Sequence, residues 1–341
     1  MSELEQLIEN SKANEAIARK LFEIETEILT CHTSEQLLSL LFQSIKSKFD
    51  ISNIALLMAE PAPVDYLLNA CKQSTWYSDN SHAISQQKLA YLFPQNKPLL
   101  TNHLANLQQV LPQQLLNNTA SLALLPLTIE GEVFAALLFT DDHKERFTQA
   151  HGTFHLEQLA VKISLSLTNV MIREQLEYMA NYDRLTGVAN RRLMEQTLNE
   201  ELIRQQRYQV PFSILFVDCD KFKTINDTYG HACGDKVLIY VAKQLTSLIR
   251  ENDRCFRFAG DEFVILLASQ SYKEAVLAGQ RLTTYFCNNP MHYEDLLLPI
   301  TISCGAAASD GVQTMEELLK KADQQLYLDK QITSPSSSHE H

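Results

Sequence analysis

The sequence predicts an α+β chain of two domains joined by a helix. Three observations carry that expectation. Its 341 residues exceed what one core usually organises, and an apolar fraction of 45% supplies material for two. Apolar runs of strand length recur in both halves among stretches of helical periodicity. Between the halves, Leu156 to Tyr178 is continuously compatible with helix.

Taken in order, Glu3 to Thr30 places Ile17, Leu21, Ile24 and Ile28 on one helical face, so residues 1–33 form an amphipathic helix suited to packing or dimerisation. Thr33 and Gln36 fit a capping box ahead of Leu37, Leu38, Leu41 and Ile45, which starts a second helix at Ser34. Strand-like runs follow at Ile54–Met58, Leu122–Ile129 and Val133–Phe139, the last two joined by a turn at Glu130-Gly131-Glu132. A further helix starts at Phe154. His103, Cys71 and Trp76 are scattered, and a structural or surface role outweighs a cofactor role for each. Cys31-His32 falls at an inter-helix turn, a poor place for a covalently held bilin.

In the connector, Leu156, Ile163 and Val170 stand seven apart, with Leu159, Ala160 and Leu167 between them. A helix packed on its own sheet gives the same pattern as a coiled coil. Its place between two domains favours a signalling helix over 156–182, able to pass a rotation or register change to a partner-chain helix.

Composition closes off several function classes. The formal net charge of −12 argues against a DNA or RNA backbone as partner, which needs a concentrated positive surface. Single nucleotides remain open, because a metal ion and one or two lysines neutralise their phosphates. Seven cysteines, an odd number with no metal-finger spacing, read as reduced thiols. No apolar run approaches the roughly 20 residues of a spanning helix, and the acidic start at Met1 is unlike a signal peptide, so the expected location is cytoplasmic.

The second half carries the chemistry. Phe212–Val217 reads as a buried strand that delivers Asp218 and Asp220, followed by a turn at Lys221-Phe222-Lys223 whose backbone N–H groups suit phosphate oxygens. Forty residues later, Arg250–Glu262 and the apolar run Phe263–Leu267 read as a hairpin with Asp261 and Glu262 at its tip. Gly-Asp also opens ordinary turns. If the two strands are neighbours, Asp218 and Asp261 supply the one or two carboxylates with which Mg²⁺ is usually held beside substrate phosphates. Arg250 and Asp253, three apart, suggest by themselves a weak surface ion pair. Ile300–Gly305 reads as a central strand ending in Gly, and Met315–Lys330 as a helix.

These clusters resemble a GGDEF domain, the diguanylate cyclase family, over residues 183–331, with Ala259 in place of the first Gly. Asp183–Arg192 and Asn226–Asp235 resemble the family as well. The resemblance implies a mixed central sheet wrapped by helices, of nucleotidyl-cyclase kind. It implies that Asp218, the backbone carbonyl of Cys219 and Asp261 hold two Mg²⁺ or Mn²⁺ ions, that Asp261 and Glu262 are the catalytic acids, and that Glu262 aids proton removal. Phe222, Lys223, Asn226, Asp235 and Lys330 are then the GTP contacts, with Asn226 and Asp235 on guanine. Arg250 and Asp253 match the family's RxxD site for inhibitory product. The implied reaction joins two GTP into cyclic di-GMP, with two pyrophosphates released, between the two domains of a homodimer.

The first half, in its order of elements and in Asp141–Leu156, resembles GAF domains, and more closely a GAF-like family of undefined function in proteobacteria. That implies an antiparallel sheet with helices over 34–155, and an unknown ligand or protein partner. Two departures bear on activity. Ala259 adds a methyl at a tight hairpin approached by nucleotide, where it can clash or demand a positive φ costly to Ala. The Gly-Arg-Asn expected after Lys330 is replaced by Ile332-Thr333-Ser334, so an arginine contact to phosphate is missing, and the tail over 332–341 reads as disordered. The rival readings are a non-catalytic receptor for cyclic di-GMP, a scaffold acting through its first half, and a cyclase making a mixed GMP-AMP product, which Asp235 disfavours.

Overall fold

The computed structural model describes residues 3–60, 75–149 and 152–333, and the chain divides into two compact units, Met1–Glu177 and Tyr178–His341. Cys71, His151 and the Ser334–Ser338 tail lie outside the described residues.

The first unit opens with helices α1 (Glu3–Ile28) and α2 (Ser34–Phe49). Thr33 caps α2 by accepting from the Gln36 N–H at 3.2 Å. Gln36 Oε1 turns back to the N–H of His32 at 3.1 Å, one residue short of the reciprocal bond of a capping box. Then come β1 (Asn53–Ala59), α3 (Thr75–Asn80), β2 (Ser81–Ile84), α4 (Gln86–Leu92), β3 (Leu99–Thr101), α5 (Gln113–Leu116), β4 (Ser121–Ile129), β5 (Glu132–Asp141) and α6 (Phe154–Asn181). Strand order is β2-β1-β5-β4-β3. Glu130 and Gly131, at φ 52° and 84°, make the two-residue turn that matches the twist of the β4–β5 hairpin.

The expected antiparallel sheet holds for four strands only, because β1 pairs with β2 in parallel. A parallel neighbour requires a crossover rather than a hairpin, and the 21 residues from Glu60 to Asn80 supply it. The heptad read in the connector also finds its cause here. Leu159, Ile163, Leu167 and Val170 are buried in this unit's own core together with the sheet and α2. That stripe is intradomain packing, so any role of α6 toward a partner chain must use another face.

The second unit runs β6 (Ala189–Asn190), α7 (Arg191–Tyr208), β7 (Ser213–Cys219), α8 (Phe222–Tyr229), α9 (His231–Leu248), β8 (Arg254–Ala259), β9 (Glu262–Leu267), α10 (Tyr272–Asn288), β10 (Met291–Tyr293), β11 (Leu296–Leu298), β12 (Ile302–Ala308) and α11 (Met315–Thr333). Its main sheet has the order β12-β7-β9-β8-β6, antiparallel except for β6 against β8, and is therefore mixed. Period-two alternation splits β7 between two cores: Leu215 and Val217 face α9 and α10, while Ile214 and Phe216 face α7 and α11. Asp218 continues the second series and is thereby carried toward α11.

β12 is an edge strand rather than a central one, and Gly305 lies inside it rather than at its end. The reason is close packing. A Cβ on Gly305 would come within 2.1 Å of the Ala322 carbonyl and 2.2 Å of the Leu326 nitrogen, so only a bare backbone lets α11 approach.

Candidate active site

Three strand ends converge on one acidic cluster. Asp218, the penultimate residue of β7, is paired in register with Glu262 of β9 on one side and Ser303 of β12 on the other. The strand ends here because Lys221 takes φ 55° and turns the chain into α8. Main-chain bonds fasten this corner: the Cys219 N–H donates to the Asp261 carbonyl at 3.3 Å and the Asp220 N–H to the Thr301 carbonyl at 3.0 Å. Ser303 Oγ donates to Asp220 Oδ1 at 2.7 Å.

From the last turn of α11, Lys330 Nζ lies 2.7 Å from Asp218 Oδ1. Burial raises the Asp218 pKa, as do the neighbouring Asp261 and Asp220, and Lys330 offsets only part of this. Glu262 is also raised, first by burial and then by Asp218, Asp261 and Asp323. Carboxylates in this condition are short of positive charge. Oxygen donors of this kind, one already drawing an ammonium to 2.7 Å, fit a hard divalent cation. Burial and the surrounding carboxylates hold the Cys219 thiol well above its ordinary pKa, so its sulfur stays protonated and only its backbone carbonyl is a candidate ligand.

The hairpin tip is a two-residue turn, with Ala259 paired to Glu262 across Gly260 and Asp261. The left-handed position is Gly260, at φ 47°. Ala259 stands in the strand, exposed, outside the positive-φ region, so the methyl costs no backbone strain. That removes the conformational objection raised by its sequence.

Phe222 and Lys223 open α8, which no side chain caps, leaving the first-turn N–H groups directed out of the helix start. Asn226 in α8 rests against Gly234 of α9: a Cβ there would fall 1.9 Å from Asn226 Oδ1. Asp235, the next residue, is exposed. The structure thus brings Asp218, Cys219, Asp261, Glu262 and Lys330 to one corner, with Phe222 and Lys223 leading from it and Asn226 and Asp235 at the α8–α9 contact.

Arg250 and Asp253 are placed apart, at the far end of the β8–β9 hairpin. The surface ion pair expected between them does not form. Asp253 is only 8% exposed, and its carboxylate accepts from the N–H groups of Arg250 (3.1 Å) and Ala268 (3.0 Å) and from Gln270 Nε2 (3.3 and 3.4 Å). Buried backbone donors outcompete a solvated guanidinium for this carboxylate. The Arg250 side chain is left exposed.

Sequence reasoning missed Arg257. Its Nε and Nη2 donate to the Gly260 carbonyl at 2.9 and 2.7 Å, and its Nη1 to Asp183 Oδ1 at 2.7 Å. Asp183 also accepts from Thr186 N–H and Oγ1 at 2.9 and 2.7 Å. Burial pushes the Asp183 pKa up, but these donors outweigh it and hold the carboxyl below its ordinary value. The segment leading into the unit is therefore clamped to the hairpin tip. The available signal was a cation between Phe256 and Phe258, in a strand whose other charged residue, Arg254, stands at its start.

Residues 180–334 match the family model described as "Diguanylate cyclase, GGDEF domain". The chain is 32% identical over 174 residues to the diguanylate cyclase DgcS of Shewanella oneidensis, an alignment of 50% of this chain and 57% of that protein. It is 33% identical over 179 residues to the diguanylate cyclase DosC of Escherichia coli, covering 50% of this chain and 38% of that one. The chain thus spans about half the length of these curated relatives. Among solved structures, the diguanylate cyclase SiaD of Pseudomonas aeruginosa, in complex with its activator SiaC, aligns at 30% identity with a TM-score of 0.44, over 51% of this chain and 68% of that one.

Proposed function

From the match of residues 180–334 to the GGDEF family model, we propose that this protein is a diguanylate cyclase, joining two GTP into cyclic di-GMP with release of two pyrophosphates. The observation that carries the reading is the corner where Asp218 and Glu262 face each other across β7 and β9, with Asp261 at the tip and Lys330 on Asp218.

Asp218, the Cys219 carbonyl and Asp261 would hold divalent metal, Mg²⁺ or Mn²⁺, two ions per site. Bound there, such ions polarise the attacking hydroxyl and neutralise the departing pyrophosphate. The chain's own groups do the rest. Asn226 and Asp235 select guanine, since an aspartate accepts from both N1–H and the adjacent 2-amino group, a donor pair that adenine lacks. The open N–H groups at Phe222 and Lys223, with the Lys330 ammonium, receive phosphate oxygens. In each of two steps, the 3′-oxygen of one GTP forms a bond to the α-phosphorus of the other, and the bond from that phosphorus to the β-phosphate bridge oxygen breaks. In this reading Glu262, its pKa raised by burial and like charge, takes the hydroxyl proton. Each domain holds one GTP, so two domains must face each other, and the working unit is a homodimer.

Control follows from the same arrangement. Arg250 offers an exposed guanidinium to the phosphates of cyclic di-GMP, while Asp253 fixes the turn that presents it. The first unit serves as a GAF-like sensor, supported by its order of helix, strand, hairpin and terminal helix, with an unknown ligand or partner. Among the described residues no helix is long and apolar enough to cross a membrane, and we assign the protein to the cytoplasm.

The test is turnover of GTP by full-length protein stripped of bound nucleotide, with Mg²⁺ present, product identified chromatographically and Asp261→Ala as control. Cyclic di-GMP that disappears in the variant is the expected result. Binding of cyclic di-GMP without turnover would make the chain a receptor. Neither activity would leave a scaffold, and efficient competition by ATP would point to the mixed dinucleotide.

A further inference from the structure

β12 is an edge of the second unit's main sheet, and its main-chain groups alternate between β7 and the outside. At its two ends, the Thr301 carbonyl accepts from the Asp220 N–H at 3.0 Å, and the Ser309 N–H donates to the Phe212 carbonyl at 2.9 Å. In that register residues 303, 305 and 307 direct their main-chain groups at β7, so 302, 304 and 306 turn theirs outward. One outward donor meets a side chain of α11: the Cys304 N–H lies 3.3 Å from Asp329 Oδ2.

Local preference does not explain an acid at position 329. A carboxylate near the C-terminal end of a helix opposes the helix dipole, and α11 ends at Thr333. With Lys221 and Lys330 it also lines a cavity of about 510 Å³ beside the acidic corner, where negative charge repels phosphate. The neighbouring residue supplies a reason for it. Lys330 Nζ reaches Asp218 Oδ1, one strand further into the sheet, at 2.7 Å. Two consecutive side chains thus tie the end of α11 to two strands, one turn after Leu326 lies against Gly305. Beyond Lys330 the helix has residues 331–333 only, and none of them is a cation.

We propose that Asp329 is a positioning residue for GTP: by clasping the Cys304 N–H it fixes the end of α11, and with it the point from which the Lys330 ammonium leaves Asp218 to meet the substrate phosphates. The identity of the substrate rests on the cyclase reading above; the clasp does not. A long side chain passes from carboxylate to phosphate by a change of rotamer when its Cα stays in place. A helix end left to fray spreads the ammonium over many positions, and its ordering is then drawn from binding energy. The carboxylate therefore has two opposed effects on phosphate binding, repulsion by its charge and support through its clasp. The charge stands at a partly exposed edge, where solvent and salt screen it, whereas the clasp restrains a whole turn.

The test compares Asp329→Ala with Asp329→Asn in the full-length chain, stripped of nucleotide. Alanine removes both clasp and charge; asparagine removes the charge and keeps an acceptor oxygen at the same reach. Alanine should raise the KM for GTP roughly tenfold and leave kcat within about twofold, the pattern of a lost contact made equally before and during reaction. Asparagine should hold KM at or below that of the parent. A second readout needs no turnover. Brief acetylation without nucleotide, read by peptide mass spectrometry, should modify Lys330 at least about threefold faster in the alanine variant, as a frayed end does. Lys320 and Lys321, exposed earlier on the same helix, should keep their parental rates, and asparagine should restore that of Lys330. An alanine variant whose KM is unchanged or lower, an asparagine variant that behaves like alanine, or Lys330 acetylated at the parental rate in the alanine variant overturns the clasp. A parent that makes no cyclic di-GMP refutes the cyclase reading instead, and the acetylation rates then decide the clasp by themselves.

Discussion

Replacing Asp253 with Ala should cost the second unit about 3 kcal/mol. Its carboxylate, only 8% exposed, accepts two main-chain N–H groups at 3.0 and 3.1 Å and the Gln270 amide at 3.3 and 3.4 Å. A net hydrogen bond to a charged acceptor contributes roughly 1.5–3 kcal/mol, and a buried donor left without a partner costs roughly 1–3 kcal/mol. Some of the orphaned donors will find water, which keeps the total near the size of one or two such terms. For a unit of this length about 1 kcal/mol moves the midpoint by roughly 2–4 °C, so the melting transition should fall by roughly 6–12 °C. Calorimetry of the full chain reads this directly, beside Arg250→Ala, whose side chain is exposed and whose backbone N–H is retained. The arginine variant should melt with the parent yet lose inhibition by cyclic di-GMP. If Asp253→Ala melts within about 1 °C of the parent, the carboxylate is not what holds this turn, and the reasoning from buried donors fails.

Three further outcomes follow from the same geometry. Asp218 and Glu262 have folded pKa values above the ordinary 3.8 and 4.5, so the folded unit keeps protons that the unfolded chain releases, and their contribution is lost as pH rises through the raised values. Glu262→Gln mimics the protonated form and should therefore gain melting temperature relative to the parent as pH rises from about 4 upward without divalent metal; a difference independent of pH would refute the shift. Gly305→Ala should destabilise by roughly 3 kcal/mol or more, since its Cβ meets main-chain atoms of α11 at 2.1 and 2.2 Å, and a soluble variant with parental stability in urea would contradict that packing. Ala259→Gly should lower stability by roughly 0.5–1 kcal/mol and leave turnover within about twofold, because Ala259 needs no positive φ; a large gain in turnover would restore the methyl as an obstacle.

Local chemistry makes most of the candidate corner legible in the sequence. Strand Phe212–Val217, the hairpin tip and the helix start at Asn190 each carry their own short-range signal, and the structure has them. What was not legible depended on which face a residue turned toward. The stripe through Ile163 and Val170 has the same spacing whether it meets its own sheet or a partner helix, and only packing decides. Gly305 looked like a strand end because Gly ends strands; its real cause is a helix 17 to 21 residues later in the chain. Asp253 looked like half of an ion pair because the donors that occupy it, Ala268 and Gln270, lie 15 and 17 residues away. Parallel pairing of β2 was hidden for the same reason, since it is set by the length of the excursion before it.

The bond from the Cys219 N–H to the Asp261 carbonyl has a bearing on inheritance. It joins the ends of two strands through atoms that every residue but proline possesses. The bond itself makes no demand on the side chain at 219, whose only constraint is that it is buried, so a small apolar replacement there should keep the juncture. The carboxylates on either side have no such freedom. Mutation at this corner is thus filtered by atom rather than by position: tolerant where the backbone does the joining, intolerant one residue away.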